Sequence, residues 1–491
     1  HALRGNTWGI FAPLYAAHTR KSWGAGDLGD LQRWREWVTE LGGGVVATLP
    51  MLAQFDDEPS PYSPVSRLFW NELYLDLTRM PEFDANDRDA SAIAQLRAAA
   101  EVDYAGVLRE KRRVLEKMCD RFLPDADFEA FAANARDYAE FRARIEQRES
   151  AQYHLYVQYR MAQQMREVAA GASKNGPGLY LDFPLGVNPG GYDAHRYAHV
   201  FAKGVSVGAP PDVFFTKGQN WGFPPFDPDA IREDRYEYFR AAIRHHVSHA
   251  GILRLDHVMG LHRLYWIAEG AEAKDGVYVT YRADELYAIV ALESTRHRCA
   301  IVGEDLGTVP PYVPKMMDKH ALRRMYVVQY EAKPEPPALP EPPRQSVASV
   351  NTHDMPTFAA FWDGLDVDDR VEQGLLDERG AAEERERRGA MREAMVAELK
   401  ARGLLHGEGG DTVAVLEAVL ANLSSSAAEI VLVNVEDLWL EREPQNVPGV
   451  PGRSWRRKFR HGLEEVREEQ NVTRILRTVN DKRRKVDGYT T

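Results

Sequence analysis

The chain has 491 residues, a formal net charge of −12 and only two cysteines, Cys119 and Cys299. This length accommodates one barrel of roughly 250 residues together with large insertions. The negative charge disfavours nucleic acid as a partner, and two cysteines provide neither a disulfide framework nor a thiolate metal cage, which suits a reducing cytoplasm. No apolar run approaches the roughly 18 residues that a membrane-spanning helix needs, and the start of the chain has no secretory apolar segment, so we expect no membrane partner.

Short apolar runs rich in β-branched residues recur along the chain, with helical patterns between them. This alternation is typical of a parallel sheet, and eight such runs match the strand number of a (β/α)8 barrel. We therefore predict an α/β fold, a (β/α)8 TIM barrel. The predicted strands are Trp8–Leu14, Gly44–Leu49, Leu179–Pro184, Ile252–Asp256, Ala300–Glu304, Met325–Tyr330, Val347–Thr352 and Ile430–Val435.

The predicted strands are unevenly spaced, which indicates insertions. Residues 85–175 carry apolar side chains at i, i+3 and i+4 and few glycines, and residues 366–425 have a similar apolar pattern, so we expect helices in both ranges. Insertions after barrel strands lie on the C-terminal face, where they would wall a cleft. We predict a single catalytic domain over 1–491, with a mainly helical insertion at 50–178 after strand two, a loop and helix insertion at 185–250 after strand three, and a helical insertion at 355–428 after strand seven.

Three carboxylates stand where predicted strands end: Asp256 after Gly-Ile-Leu-Arg-Leu, Glu304 after Ala-Ile-Val-Gly, and Asp354 after Val-Asn-Thr-His. Catalytic groups of a (β/α)8 barrel come from such strand ends. Glycosidic-bond chemistry requires an acid that protonates the leaving oxygen and an anion that attacks or stabilises the sugar cation. The histidines show no metal-ligand spacing and the sequence has no phosphate loop, so we predict acid–base chemistry on a neutral substrate, with no metal and no cofactor.

Arg254 and Asp256 are two residues apart on a predicted strand, so their side chains share a face. A buried arginine needs a partner, and we expect pairing with Arg254 to depress the pKa of Asp256 and keep it anionic, as a nucleophile requires. The alternative is that Asp256 caps the next helix while Arg254 forms a structural ion pair. The adjacent His257 and the other strand-end acids favour the catalytic interpretation.

Glu304 and Asp305 are adjacent and point to opposite faces of an extended strand, and composition does not say which of them faces the pocket. A glutamate in a partly apolar pocket has a raised pKa and can stay protonated as a general acid, and the other carboxylate is then a helix N-cap. Asp354 alone would be a turn or cap residue. With His353 beside it, Asp354 could instead bind sugar hydroxyls and stabilise charge.

Aromatic residues occur in two loops that follow predicted strands. Phe214 and Trp221 fall in the Gly/Pro-punctuated loop 210–222 after strand three, and Tyr62 falls in a loop after strand two. Aromatic side chains on active-site loops suit the apolar faces of pyranose rings. The alternative for each of them is a packing anchor.

Several motifs follow one another over nearly the whole chain: Gly24-Ala-Gly-Asp-Leu-Gly-Asp30, Ser60-Pro-Tyr62, Asp182-Phe-Pro184, the loop 210–222, Arg254-Leu-Asp-His257, Gly303-Glu-Asp-Leu-Gly307, Asn351-Thr-His-Asp354, and Glu436-Asp-Leu438 with Pro444-Gln-Asn-Val-Pro-Gly449. Together they resemble the motifs of 4-α-glucanotransferases of the amylomaltase, or disproportionating enzyme, family in the wider α-amylase clan. Gln219-Asn-Trp-Gly-Phe-Pro-Pro225 is most similar to the bacterial subgroup of maltose metabolism.

The resemblance implies roles for individual residues. It implies that Asp256 is the nucleophile, Glu304 the general acid/base and Asp354 the third carboxylate. It further places around the substrate the residues Tyr62, Asp182, Arg254, His353, Trp221, Phe214, Gln219 and His257.

These features predict a retaining transferase that cleaves α-1,4-glucans and passes the glycan to the 4-hydroxyl of another maltooligosaccharide. A hydrolase of the same clan would use identical acids, and only the family resemblance argues against it. A non-catalytic glucan-binding scaffold would keep the aromatic residues but tolerate loss of the acids, so the joint presence of the acids and Arg254 disfavours it.

Overall fold

The computed structural model describes residues 1–3, 5–171, 176–211, 217–407, 411–450 and 452–486. Its central sheet has eight parallel strands, and each of them overlaps a predicted strand. Their bounds are Thr7–Phe11, Val45–Ala47, Gly178–Phe183, Ile252–Leu255, Ala300–Gly303, Arg324–Val327, Ser346–Ser349 and Ile430–Asn434.

The sheet closes on itself. Barrel strands one to five pair in chain order, strands six to eight do the same, and strand eight pairs with strand one. A parallel bridge between Val302 and Arg323 joins strand five to the residue that precedes strand six, with the Gly303 amide donating to the Arg323 carbonyl at 2.9 Å. The predicted (β/α)8 TIM barrel is confirmed.

Side chains from alternate strand positions fill the barrel interior, as strand geometry requires. One buried cluster contains Tyr180 and Ile252 together with small and β-branched residues of the other strands. In the register of strands three and four, Tyr180 pairs with Ile252 and Asp182 pairs with Arg254. The interior is therefore apolar at one level and ionic at the next level, towards the C-terminal ends of the strands.

Helices surround the barrel and fill the insertions. The four between strands two and three are Ala90–Ala98, Tyr104–Arg121, Ala126–Ile145 and Gln152–Gly171. The four between strands seven and eight are Phe358–Asp363, Leu365–Glu372, Glu378–Ala401 and Thr412–Ser424. The others are Leu28–Glu40, Tyr192–Arg196, Pro228–Glu233, Glu237–Val247, Ala283–His297, Tyr312–Lys319, Val328–Glu331, Leu463–Glu468 and Gln470–Val486. In the part of the chain that the structure describes, no helix is long and apolar enough to cross a membrane.

A second sheet lies beside the barrel and was not anticipated. It is antiparallel, and its order from one edge to the other is Gln219–Asn220, Val205–Ala209, Arg263–Ala268 and Val277–Thr280. These strands have two to six residues, too short for their alternation to stand out from loop sequence. The sheet fixes where the segment after Gln219 runs, and that segment reaches the C-terminal face of the barrel.

Candidate active site

A cleft of about 520 Å³ opens at the C-terminal ends of the barrel strands. Asp256, Glu304 and Asp354 all line it. They come from the ends of strands four, five and seven, which the closed barrel brings together although the residues are far apart in the chain. The predicted convergence of three carboxylates is thus present in the structure.

Arg254 forms the ionic floor of this cleft. Its Nη1 atom donates to both carboxylate oxygens of Asp182 at 2.8 Å and lies 3.1 Å from Oδ1 of Asp256. Asp182 is its paired neighbour on strand three, so the two side chains meet directly across the sheet. The main partner of the buried arginine is therefore Asp182, and Asp256 shares the same nitrogen.

The expected depression of the Asp256 pKa is wrong. Burial raises the pKa of Asp256 to about 6, against the attraction of Arg254 and with repulsion from Asp182 and Asp354. Because Asp182 already accepts two bonds from the guanidinium, Arg254 compensates only part of the burial. Asp256 is still mostly ionised at pH 7.

Glu304 faces the cleft and is held by the backbone. Its Oε2 atom accepts from the amide of His257 at 3.0 Å, and its Oε1 atom accepts from the amide of Leu306 at 2.8 Å. Burial raises the pKa of Glu304 to about 7, Arg254 lowers it, and the charge of Asp256 raises it further. The prediction of a glutamate with a raised pKa agrees with this environment.

Asp305 points away from the cleft. Its carboxylate accepts from the Arg324 side chain at 2.6 Å and from the Met325 amide at 2.9 Å. The expectation that this residue caps a helix is wrong, because Asp305 instead ties the end of strand five to strand six. The side chains of Glu304 and Asp305 therefore point to different sides of strand five.

Tyr62, His353 and Asp354 form a hydrogen-bonded chain above Asp182. The Tyr62 hydroxyl donates to Asp182 Oδ2 at 2.7 Å and lies 2.8 Å from His353 Nε2, which is 3.0 Å from Asp354 Oδ2. The rings of Tyr62 and His353 stack with centroids 5.3 Å apart. This chain links the ion pair of the barrel interior to the third carboxylate.

Asp354 has the opposite electrostatic character from Glu304. Its side chain is 45% exposed at the mouth of the cleft. The surrounding protein by itself raises the pKa of Asp354, but His353 and the amide of Asn446 outweigh it and lower the pKa to about 2. Asn446 Nδ2 donates to Asp354 Oδ1 at 2.6 Å. Asp354 is an anion throughout the neutral range.

The aromatic wall of the cleft comes from the segment that follows Gln219–Asn220, an edge strand of the second sheet. Trp221 packs edge-on against His257 at 5.4 Å and stacks with Phe223 at 6.1 Å, and both aromatic residues and Gln219 line the cleft. His257 also lines it, in a left-handed backbone conformation with φ 47°. Phe214 lies outside the described residues.

Comparisons with known proteins agree with this geometry. The sequence profile of the 4-alpha-glucanotransferase family matches residues 12–148 and 126–464. A 4-alpha-glucanotransferase of Mycobacterium tuberculosis is 33% identical over 513 aligned positions, which cover 90% of this chain and 69% of that protein. The Haemophilus influenzae 4-alpha-glucanotransferase is 28% identical, over 93% of this chain and 76% of that protein.

The chain belongs to the 4-alpha-glucanotransferase family. The predicted family is confirmed, and with it the class of enzyme. The solved structure of amylomaltase from Corynebacterium glutamicum superposes with a TM-score of 0.88 at 26% identity, over 96% of this chain and 75% of that one. Amylomaltase from Streptococcus agalactiae in complex with acarbose has the same fold, with a TM-score of 0.79 at 20% identity, over 96% of this chain and 98% of that one.

Several residues that line this family member's cleft were not singled out from the sequence, among them Phe223, Asn446 and Trp455. Phe223 and Trp455 line it, and Trp455 lies 5.8 Å from Tyr62. Asn446 belongs to the motif Pro444–Gly449, and the motif gives no sign of its bond to Asp354. An aromatic residue or an asparagine in a loop has no periodic signal, so only the tertiary contacts of Asn446 with Asp354 and of Trp455 with Tyr62 identify these two residues.

Proposed function

We propose that this chain is a retaining 4-α-glucanotransferase acting on maltooligosaccharides and other α-1,4-glucans. The observation that carries the proposal is that Asp256, Glu304 and Asp354 line one cleft at the ends of barrel strands, with Arg254 beside Asp256 and two backbone amides on Glu304. A nucleophile must be ionised while the general acid is protonated, and burial raises the pKa of Glu304 to about 7, which suits the general acid.

In the first step, the Asp256 carboxylate attacks the anomeric carbon of the donor. The bond from that carbon to the glycosidic oxygen breaks, and protonated Glu304 delivers its proton to the leaving oxygen. In the second step, ionised Glu304 takes the proton from the 4-hydroxyl of an acceptor sugar. The hydroxyl oxygen then displaces Asp256, so a new α-1,4 bond forms and the configuration is retained.

The residues around Asp256 support this chemistry by binding the reacting sugar. Asp354, which is anionic, would accept hydroxyl hydrogen bonds and stabilise the positive charge of the transition state. Arg254 and Asp182 orient Asp256 through the shared guanidinium nitrogen. Tyr62 holds this arrangement by hydrogen bonding to Asp182 and to His353.

Transfer requires that an acceptor reaches the glycosyl-enzyme before water does. We propose that Trp221, Gln219 and His257 bind glucose units on one side of the cleft, and we extend this proposal to Phe214. The whole chain, 1–491, would then act as one catalytic domain whose insertions at 50–178, 185–250 and 355–428 shield the cleft.

The narrower resemblance to the maltose-metabolism subgroup stays a prediction, and the two free thiols support a proposal of cytoplasmic location.

Hydrolysis of α-1,4-glucans is the second candidate function. The same acids serve it, and the cleft is open to solvent at the position of Asp354, which is 45% exposed. Family membership favours transfer.

The two functions give different products from maltotriose alone. If transfer dominates, we expect glucose together with a ladder of longer maltodextrins, because the enzyme-bound glycan passes to another sugar. Chromatography of the products and a reducing-end assay measure this. Glucose and maltose alone, with reducing ends rising in step, would assign the chain as a hydrolase.

The pKa values of the two acids predict a narrow pH profile. We expect kcat/KM to rise with pH through about 6, as Asp256 ionises, and to fall through about 7, as Glu304 loses its proton. In Glu304→Gln, assayed with maltotriose, whose leaving oxygen needs a proton, the alkaline limb of the residual rate should disappear while the acid limb remains. An alkaline limb that persists in this variant would mean that another group is the acid.

The roles of the adjacent acids are separable by substitution. Asp256→Asn should abolish glycosyl-enzyme formation, detected by mass spectrometry with maltotriosyl fluoride. Glu304→Gln should slow turnover of maltotriose by about 10²- to 10⁴-fold but spare cleavage of the fluoride, whose leaving group needs no protonation. Asp305→Asn is the matched control, and if it damages maltotriose turnover more than Glu304→Gln does, the assignment of Glu304 is wrong.

The aromatic wall should favour acceptor capture over hydrolysis. Trp221→Ala removes a stacking surface, so acceptor binding weakens and the ratio of hydrolysis to transfer should rise several-fold, by the loss of about 1 kcal/mol of aromatic contact. Tyr278→Ala is the control, because Tyr278 lies 46% exposed on the opposite edge strand of the same sheet. An unchanged ratio in a Trp221→Ala protein with an unchanged thermal transition would show that Trp221 only packs.

A further inference from the structure

Two consecutive acids, Glu436 and Asp437, lie buried just beyond strand eight, in the turn Val435–Trp439. Each is 1% exposed, and neither is among the described residues that line the cleft. Burial raises the pKa of each carboxyl to about 7. Burying a carboxyl group is unfavourable unless hydrogen bonds compensate it, so their contacts indicate what the two side chains do.

Asp437 joins the two ends of the loop that carries His353 and Asp354. Its Oδ2 and Oδ1 atoms accept from the side-chain amide of Asn351 at 3.0 and 3.3 Å, and Oδ1 also accepts from the backbone amide of Phe358 at 2.7 Å. Asn351 precedes the loop and Phe358 follows it. One carboxylate therefore fixes the separation of the loop ends.

Glu436 holds a different loop. Its Oε1 atom accepts from the side-chain amide of Gln445 at 3.1 Å and from the guanidinium of Arg457. Gln445 in turn accepts from the Tyr15 hydroxyl at 2.7 Å, so its side chain is fixed at both ends. The next residue, Asn446, is the one that donates to Asp354 Oδ1.

The two loops meet at Asp354. One of them carries Asp354 itself, and the other brings the amide of Asn446 within 2.6 Å of it. Because consecutive residues of a turn hold both loops, the separation of the loops is set at the end of one barrel strand. Asp354 Oδ1 faces Asn446, while Oδ2 lies 3.0 Å from His353 Nε2, so both oxygens of Asp354 are oriented.

We propose that Glu436 and Asp437 are positioning residues, which fix Asp354 against the reacting sugar by holding the loops 351–358 and 445–446. The proposal rests on the proposed function, in which Asp354 stabilises the transition state. Neither acid lines the cleft that would hold the substrate. A displacement of about 1 Å at a reacting centre costs on the order of 10²-fold in rate, so loss of either acid should lower kcat more than it raises KM.

A double-mutant cycle tests this coupling. Asp437→Asn keeps the size of the side chain but turns one acceptor oxygen into an amide that faces the Asn351 amide. We expect it to slow fluoride release from maltotriosyl fluoride by on the order of 10²-fold in the wild-type background. In the Asp354→Asn background the same substitution should change the rate by less than about 3-fold, because its effect passes through Asp354. The activated donor keeps the slow variants measurable.

Asp193→Asn is the matched control. Asp193 is also fully buried and accepts from the Ser66 hydroxyl, the Arg67 amide and the Tyr238 hydroxyl, but it lies away from the two loops. Any loss of rate caused by Asp193→Asn should be the same in the wild-type background and in the Asp354→Asn background. Thermal unfolding of every variant is measured alongside.

Rescue provides a second arm that does not depend on how well the single variant folds. Adding Asn351→Asp to Asp437→Asn restores one donor facing one acceptor, with the roles exchanged, and should recover part of the lost rate, because the bond from the Asn351 amide to the Pro356 carbonyl at 3.3 Å is not restored. The same double-mutant cycle with Glu436→Gln in place of Asp437→Asn tests the loop 445–446, and the same dependence on Asp354 is expected.

Equal losses from Asp437→Asn in the wild-type and Asp354→Asn backgrounds, or no recovery in a folded Asn351→Asp and Asp437→Asn protein, would overturn the proposal. If Asp354→Asn alone left the rate unchanged, the role of Asp354 in the proposed function would be wrong, and this inference with it. Failure of the coupling alone leaves the transferase assignment standing, since that is decided by the products from maltotriose.

Discussion

Arg254 stands between Asp182 and Asp256 at the point where the apolar interior of the barrel gives way to the cleft. A guanidinium withdrawn from water needs compensation, and the neighbouring strand supplies it through Asp182. Burial raises the pKa of Asp256 to about 6, and Arg254, which also binds Asp182, offsets only part of that rise, so Asp256 is a nucleophile that is mostly ionised at neutral pH. Removing one partner from this cluster would leave a buried charge uncompensated, so the acid that reacts and the charges that hold it form one unit.

The pKa values of the other two acids, Glu304 and Asp354, are set by contrasting surroundings within the same cleft. Glu304 lies among backbone amides and apolar side chains, and its pKa rises to about 7, whereas Asp354 faces an imidazole and an amide, and its pKa falls to about 2. Two backbone amides hold the two carboxylate oxygens of Glu304. His353 and Asn446 hold the two carboxylate oxygens of Asp354. Holding a carboxylate at both oxygens limits its rotation, which suits catalysis by preorganised charge.

The insertions and the second sheet decide what surrounds these acids. The barrel alone would present them to open water, while the segment from Gln219 to Phe223 adds an aromatic wall, and Asn446 and Trp455 are added from the chain beyond strand eight. Glu436 binds Gln445 in the loop after strand eight, and the next residue, Asn446, reaches Asp354. The same fold can therefore supply identical chemistry while the loops adjust access of sugar or water.

The sequence by itself determined the eight strands, the three strand-end carboxylates and the family, because strand periodicity and the contiguous motifs are local properties. It could not decide which of two adjacent acids faces the cleft, which partner Arg254 prefers, or the sign of the Asp256 pKa shift. Those depend on strand register, on the sharing of one guanidinium between Asp182 and Asp256, and on the depth of burial. The second sheet, Asn446 and Trp455 likewise come from packing between segments far apart in the chain, and only the closed barrel brings those segments together.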